Sequence, residues 1–171
     1  MLAVRELMTD DLVTAAPEYT LREAAEAMAD AHVSGLPVVE GGMAVGVISA
    51  TDILGFAAAT SGSPARSGRR RGGAEIPSGY YTEDWPERSP GREILEETDR
   101  PEWSALEERT VEEFMTRALI TLAPDASVQE AAGTMLGSGV RRVLVVDVDR
   151  LVGLVSTTDV LAAVAEHGIT V

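Results

Sequence analysis

Apolar and polar positions along the chain fall into two blocks that follow one pattern. In the first, Leu21, Ala24, Ala25 and Met28 recur at helical spacing, so one face of a helix is apolar and turns toward a core. Thr20 stands three residues ahead of Glu23. That spacing predicts the start of the helix, because the hydroxyl and the carboxylate together satisfy N–H groups at its open end. Ser127 and Glu130 repeat the arrangement in the second block. Residues 12–15 predict a short strand ahead of the helix. Residues 36–40 and 43–49 predict two buried strands, joined by Gly41-Gly42 as a two-residue hairpin turn. Thr51 and Asp52 then open a second helix, expected over residues 53–59 with its counterpart over 160–165. The order in each block is β-α-β-β-α, an α/β (α+β) chain.

The blocks are copies of one another. Residues 4–58 align with 111–165 without a gap. Met8-Thr9 matches Met115-Thr116, Thr14 matches Thr121, and Pro17 matches Pro124. Glu23-Ala24-Ala25 matches Glu130-Ala131-Ala132, Met28 matches Met135, and Val38-Val39 matches Val145-Val146. Gly46 matches Gly153, and Ser49-x-Thr51-Asp52 matches Ser156-x-Thr158-Asp159. A unit this small, with strands apolar on both faces, cannot bury itself alone; two copies packed sheet to sheet can. The expected organisation is a first repeat over 1–58, an insertion over 59–103 and a second repeat over 104–171. The insertion is rich in Gly, Pro and Ser, starts basic (Arg66, Arg69, Arg70, Arg71) and ends acidic (Glu93, Glu96, Glu97, Asp99, Glu102), which predicts a long irregular segment. Within it residues 94–98 predict a short helical turn, and Trp85 and Trp103 are candidate anchors to the body. The segment as a whole is a candidate lid over one face.

Composition narrows the function. Apolar residues make up 45% of the 171 and aromatics only 4%, so the core is aliphatic. The absence of cysteine excludes a disulfide scaffold, a thiol nucleophile and any zinc site that needs a thiolate. A formal net charge of -14 repels nucleic acid and anionic membrane. An anionic ligand therefore needs a local basic pocket. Every basic side chain other than the two histidines is Arg. No apolar run approaches the roughly 20 residues of a membrane span, and the chain's start lacks a signal peptide's apolar stretch, so a cytoplasmic protein is expected. No nucleophile–base set, cofactor fingerprint or metal-loop spacing is present in the sequence, which argues against an enzyme. His32 and His167 read as ordinary surface or interface residues, and Met8, Met28, Met115 and Met135 as core fillers.

The repeated unit resembles the CBS family, the small domains named after cystathionine beta-synthase, here as a stand-alone bacterial tandem pair. The resemblance rests on the Met-Thr opening, residues 33–39 and 140–146, and Gly46-Val47-Ile48-Ser49-x-Thr51-Asp52 with its counterpart Gly153-Leu154-Val155-Ser156-x-Thr158-Asp159. It implies two pseudo-twofold clefts that bind adenosine-type ligands. Carried over residue by residue, the first cleft combines Ser49, Thr51 and Asp52 with Thr121, Val140, Arg141 and Arg142. The second combines Ser156, Thr158 and Asp159 with Thr14, Val33, Ser34 and Gly35. A strand running into a helix start presents N–H groups to a phosphate, and the Asp carboxylate suits a ribose diol. Because the arginines stand in the first cleft only, that cleft is expected to favour phosphorylated ligands, and the other a neutral-tailed one such as S-adenosylmethionine, or nothing.

Each assignment has a plainer alternative. Asp52 and Asp159 are also good helix caps, Thr14 and Thr121 good strand residues, and Arg141 and Arg142 a solvated strand edge. The functional expectation is a regulatory module sensing AMP, ADP, ATP or S-adenosylmethionine, requiring no cofactor, forming a homodimer and read by a partner protein. The alternative is a ligand-free dimerisation or assembly module.

Overall fold

The computed structural model describes residues 2–60, 79–82 and 101–168. The Arg66–Arg71 run, Trp85 and the turn expected over 94–98 lie outside the described residues. Each repeat places a helix, a β-hairpin and a second helix in the expected order. In the first these are α1 (Leu21–Asp30), β1 (Gly35–Glu40), β2 (Met43–Ser49) and α2 (Ala50–Thr60). Between the repeats lie the short helices α3 (Gly79–Thr82) and α4 (Pro101–Glu107). The second repeat has α5 (Val111–Phe114), β3 (Thr121–Leu122), α6 (Val128–Ser138), β4 (Arg142–Asp147), β5 (Arg150–Ser156) and α7 (Thr157–His167).

Both capping boxes form as the sequence predicts. Glu23 N–H donates to Thr20 Oγ1 at 3.1 Å while Thr20 N–H donates to Glu23 Oε2 at 2.8 Å. Ser127 and Glu130 do the same at 3.1 and 2.7 Å. Gly41 and Gly42 turn the first hairpin at φ +59° and +85°, the paired positive angles that match the twist of the strands. Two expectations shift. The strand expected over residues 12–15 is reduced to a single bridge, Ala15 to Val38, and only its counterpart Thr121–Leu122 forms a short parallel strand beside β4. The second helices start earlier than expected, at Ala50 and Thr157, because the strand ends of Ser49 and Ser156 lead straight into the helical turn.

The strand order is β1-β2-β5-β4-β3, and the two hairpins join through one antiparallel pair, Met43 with Arg150. The stronger connection is an exchange of leading segments. Thr9 bridges Leu154 of the other repeat, and Thr116 bridges Val47, each with two backbone hydrogen bonds of 2.8–2.9 Å. Val4 and Arg5 N–H donate to the carbonyls of Ala126 and Pro124, and Val111 and Glu112 N–H to those of Tyr19 and Pro17. Each repeat's core is thereby completed by the other. Val111 and Met115 are buried with Leu21, Met28, Leu36 and Ile48; Val4 and Val47 are buried with Met135, Val143, Leu144 and Val155. Neither repeat has a closed core of its own.

Candidate functional site

The strand-to-helix junctions are built identically in both repeats. Ser49 N–H and Oγ donate to Asp52 Oδ2, each at 2.8 Å, and Asp52 N–H returns to Ser49 Oγ at 3.3 Å. At the second junction the corresponding distances are 2.7, 2.6 and 3.4 Å. Asp159 is therefore the carboxylate of a capping box whose N-cap is Ser156, Asp52 makes the same bonds to Ser49, and in each the bonds fall on Oδ2. Both carboxylates are half-buried, while Thr51 and Thr158 beside them are exposed.

The segment ahead of each hairpin is pinned to the same junction. Ala50 N–H donates to the Ser34 carbonyl at 2.8 Å, and Thr157 N–H to the Arg141 carbonyl at 2.9 Å. Val33 and Val140 N–H close onto Met28 and Met135. Within a repeat, Gly35 pairs with Ser49 and Arg142 with Ser156. Ser34 is buried, and its Oγ has no hydrogen-bond partner among the described residues. Thr14 is half-buried beside the Ala15–Val38 bridge, where it lines a cavity of about 170 Å³ with Val39, Arg150 and Val152. Thr121 is exposed at the edge strand.

The arginine pair divides. Arg141 is exposed; Arg142 is only 6% exposed and sits inside the protein. Its guanidinium lies over the ring of Tyr80, 5.6 Å from the centroid, an attraction between cation and ring face. The solvated-edge alternative thus fails for Arg142.

Tyr80 and Tyr81, which the motif reading did not single out, occupy the space between the repeats. Both are essentially fully buried, at 0% and 1% exposure. Their rings meet edge to face at 5.2 Å. The helix that carries them, α3, packs against β1, β2, β4 and α2. Gly35 makes room for Tyr80: a Cβ at Gly35 would stand 2.7 Å from the ring and 3.0 Å from the Ile48 carbonyl. Gly35, expected to belong with the Ser156–Asp159 junction, therefore shares a wall with Arg142, its counterpart in the other repeat. On the second repeat, Arg141 N–H donates to the Tyr81 carbonyl at 2.7 Å, and Ile120 N–H to the Tyr81 hydroxyl at 3.3 Å. Burial pushes the Tyr81 phenol up to about 12, and that of Tyr80 higher still. The available signal was compositional: two of the chain's three tyrosines stand side by side in an otherwise polar, Gly- and Pro-rich segment.

Among the described residues no group of His, Asp and Glu is placed to hold a metal ion, and no helix is long and apolar enough to cross a membrane.

Comparison with known proteins fits this architecture. The family model for the CBS domain matches residues 4–59 and again 111–166. The chain is 25% identical to the CBS domain-containing protein YhcV of Bacillus subtilis over 159 residues, covering 93% of this chain and 83% of that one. Two solved structures superpose along nearly the whole length. CBSX2 in complex with AMP has a TM-score of 0.65 at 20% identity, covering 99% of this chain and all of that one. The CBS domain pair of protein MJ0100, in complex with 5-methylthioadenosine and S-adenosyl-L-methionine, has a TM-score of 0.59 at 21% identity, covering 98% of each chain. At these identities the structural likeness establishes the fold.

Proposed function

The chain belongs to the CBS domain family, and from that we propose that it is a regulatory module that senses an adenosine-type ligand between its two repeats. The observation that carries this reading is the junction built twice over: a Ser-x-Thr-Asp strand end running into the start of an 11-residue helix, with a half-buried carboxylate and an exposed threonine. N–H groups at a helix start suit a phosphate, and a carboxylate beside them suits a ribose diol. Asp52 and Thr51, with Thr121, Val140, Arg141 and Arg142, form one proposed site. Asp159 and Thr158, with Thr14, Val33 and Ser34, form the other. The arginines make the first the better site for a phosphorylated ligand. The AMP and the S-adenosylmethionine held by the two structural neighbours support the ligand class.

Thermal melting against AMP, ADP, ATP, S-adenosylmethionine, NADH and cyclic di-AMP tests the reading. A ligand that binds only the folded chain raises stability by about 2.7 kcal/mol at a hundred times its dissociation constant. A midpoint that none of them moves over a wide concentration range overturns it. One observation favours a second reading, ligand-free self-assembly: Leu54 and Leu161 occupy equivalent places on α2 and α7 and are 41% and 66% exposed. A concentration-dependent dimer that dissociates on Leu54→Glu, with no ligand response, would support that alternative.

A further inference from the structure

We infer that the Tyr80–Tyr81 turn is an internal occupant of the cleft at Arg141 and Arg142, which an adenosine-type ligand must displace in order to bind. This inference rests on the ligand-sensing reading above and adds to it a built-in competitor.

Three observations converge. The turn engages the cleft through the kinds of contact a nucleoside would use. An aromatic ring lies against the Arg142 guanidinium, a carbonyl takes the Arg141 N–H, and a hydroxyl takes the Ile120 N–H next to Thr121. Secondly, the turn breaks the pseudo-twofold symmetry. The counterparts of Ile120 and Arg141 are Val13 and Ser34; Val13 is 47% exposed, and Ser34 Oγ is buried without a partner among the described residues. Among the described residues, the hydrogen bonds from the turn fall on Arg141 and Ile120 and not on these counterparts. Thirdly, the tyrosines come from the insertion, outside both CBS matches, so the pattern the two repeats share does not include them. Two buried rings in the cleft hold the binding-competent form to a small population, and apparent affinity falls by that fraction.

Hydrogen exchange and calorimetry on the full chain test this, with AMP as the probe. AMP should accelerate exchange in the peptide that contains residues 79–82. Tyr80→Ser/Tyr81→Ser should bind AMP at least tenfold more tightly than the wild type. Exchange there that stays unchanged or slows with AMP bound makes the tyrosines a fixed wall and overturns the inference, as does equal affinity of wild type and double variant; the sensing reading survives either result. If neither protein binds AMP or any other adenosine compound, the sensing reading itself fails and the displacement with it. The exchange measurement needs no variant, so it decides even if the double variant does not fold; Tyr81→Phe, which loses only the hydroxyl bond to Ile120, is the milder second variant, with a smaller gain in the same direction.

Discussion

Gly153 lies directly beneath Met8 of the other repeat: a Cβ at Gly153 would stand 2.7 Å from the Met8 sulfur and 2.9 Å from the Thr9 carbonyl. Gly46 stands in the same relation to Met115 and Thr116, at 2.6 and 3.0 Å. The Met-Thr pair that opens each repeat and the glycine in the last strand of each repeat are thus the two halves of one contact, made across the pair. The methionine can move aside, but the carbonyl belongs to the bridge that links the repeats. Gly153→Ala and Gly46→Ala should each destabilise the fold by about 1–3 kcal/mol. Gly55→Ala, in helix α2 with open space around it, should stabilise it by up to about 1 kcal/mol. Urea denaturation of the three variants checks both signs.

The second hairpin makes the same turn as the first without its glycines. Val148 and Asp149 hold φ +45° and +70° where the first repeat has Gly41-Gly42. A β-branched residue in that region carries about 1–3 kcal/mol of strain, and Val148 is 89% exposed, so its side chain gains little from packing. Replacing Val148-Asp149 with Asn-Gly should raise the melting midpoint by several degrees. No rise would show that the strain is absorbed elsewhere.

The capping box of α6 sets an acid limb. Hydrogen bonds from the Ser127 backbone N–H and then its hydroxyl hold the Glu130 carboxyl below its ordinary 4.5. A lowered folded value gives stability that is present above the unfolded value and lost as pH falls through the folded one. Ser127→Ala should cost about 1 kcal/mol near neutrality. Its deficit against wild type should narrow below about pH 4.5. A deficit constant down to pH 3 would separate the cap from Glu130.

At the alkaline end the sign reverses. Tyr81 is neutral inside the protein, with its phenol raised from 10.0 to about 12, chiefly by burial. A raised folded value gives stability that is full below the unfolded value and lost as pH rises through the folded one. Wild-type stability should therefore fall between about pH 10 and 12, with a late phenolate step in the ultraviolet spectrum that Tyr81→Phe removes.

Capping and ligand binding at Asp52 can be told apart by one atom. Asp52→Asn keeps an oxygen to accept from Ser49, so the helix start should survive with a small change in stability. The loss of the charged acceptor should weaken an adenosine ligand by roughly 10- to 100-fold, the worth of a hydrogen bond to a charged group. Titration calorimetry on this variant and on Asp159→Asn assigns the ligand to one junction or the other. Unchanged affinity in both would leave the two carboxylates as caps alone.

Much of this protein was legible along the chain because its cause is local or repeated. The helix of Leu21, Ala24, Ala25 and Met28, the boxes at Thr20 and Ser127 and the Gly41-Gly42 turn depend on neighbours within a few residues. The duplication showed that one unit was used twice, and that Ser49-x-Thr51-Asp52 and its copy were a pair. Three features needed the tertiary structure. Residues 12–15 read as a strand, but strand length is set by the partner edge, which supplies only Val38. The exchange of leading segments joins residues more than a hundred positions apart, such as Thr9 with Leu154, and no periodicity reports it. Arg141 and Arg142 are alike in sequence, yet one is exposed and the other buried over Tyr80, because which side of a strand end faces the cleft, and what fills that cleft, is decided only when the insertion brings its tyrosines home.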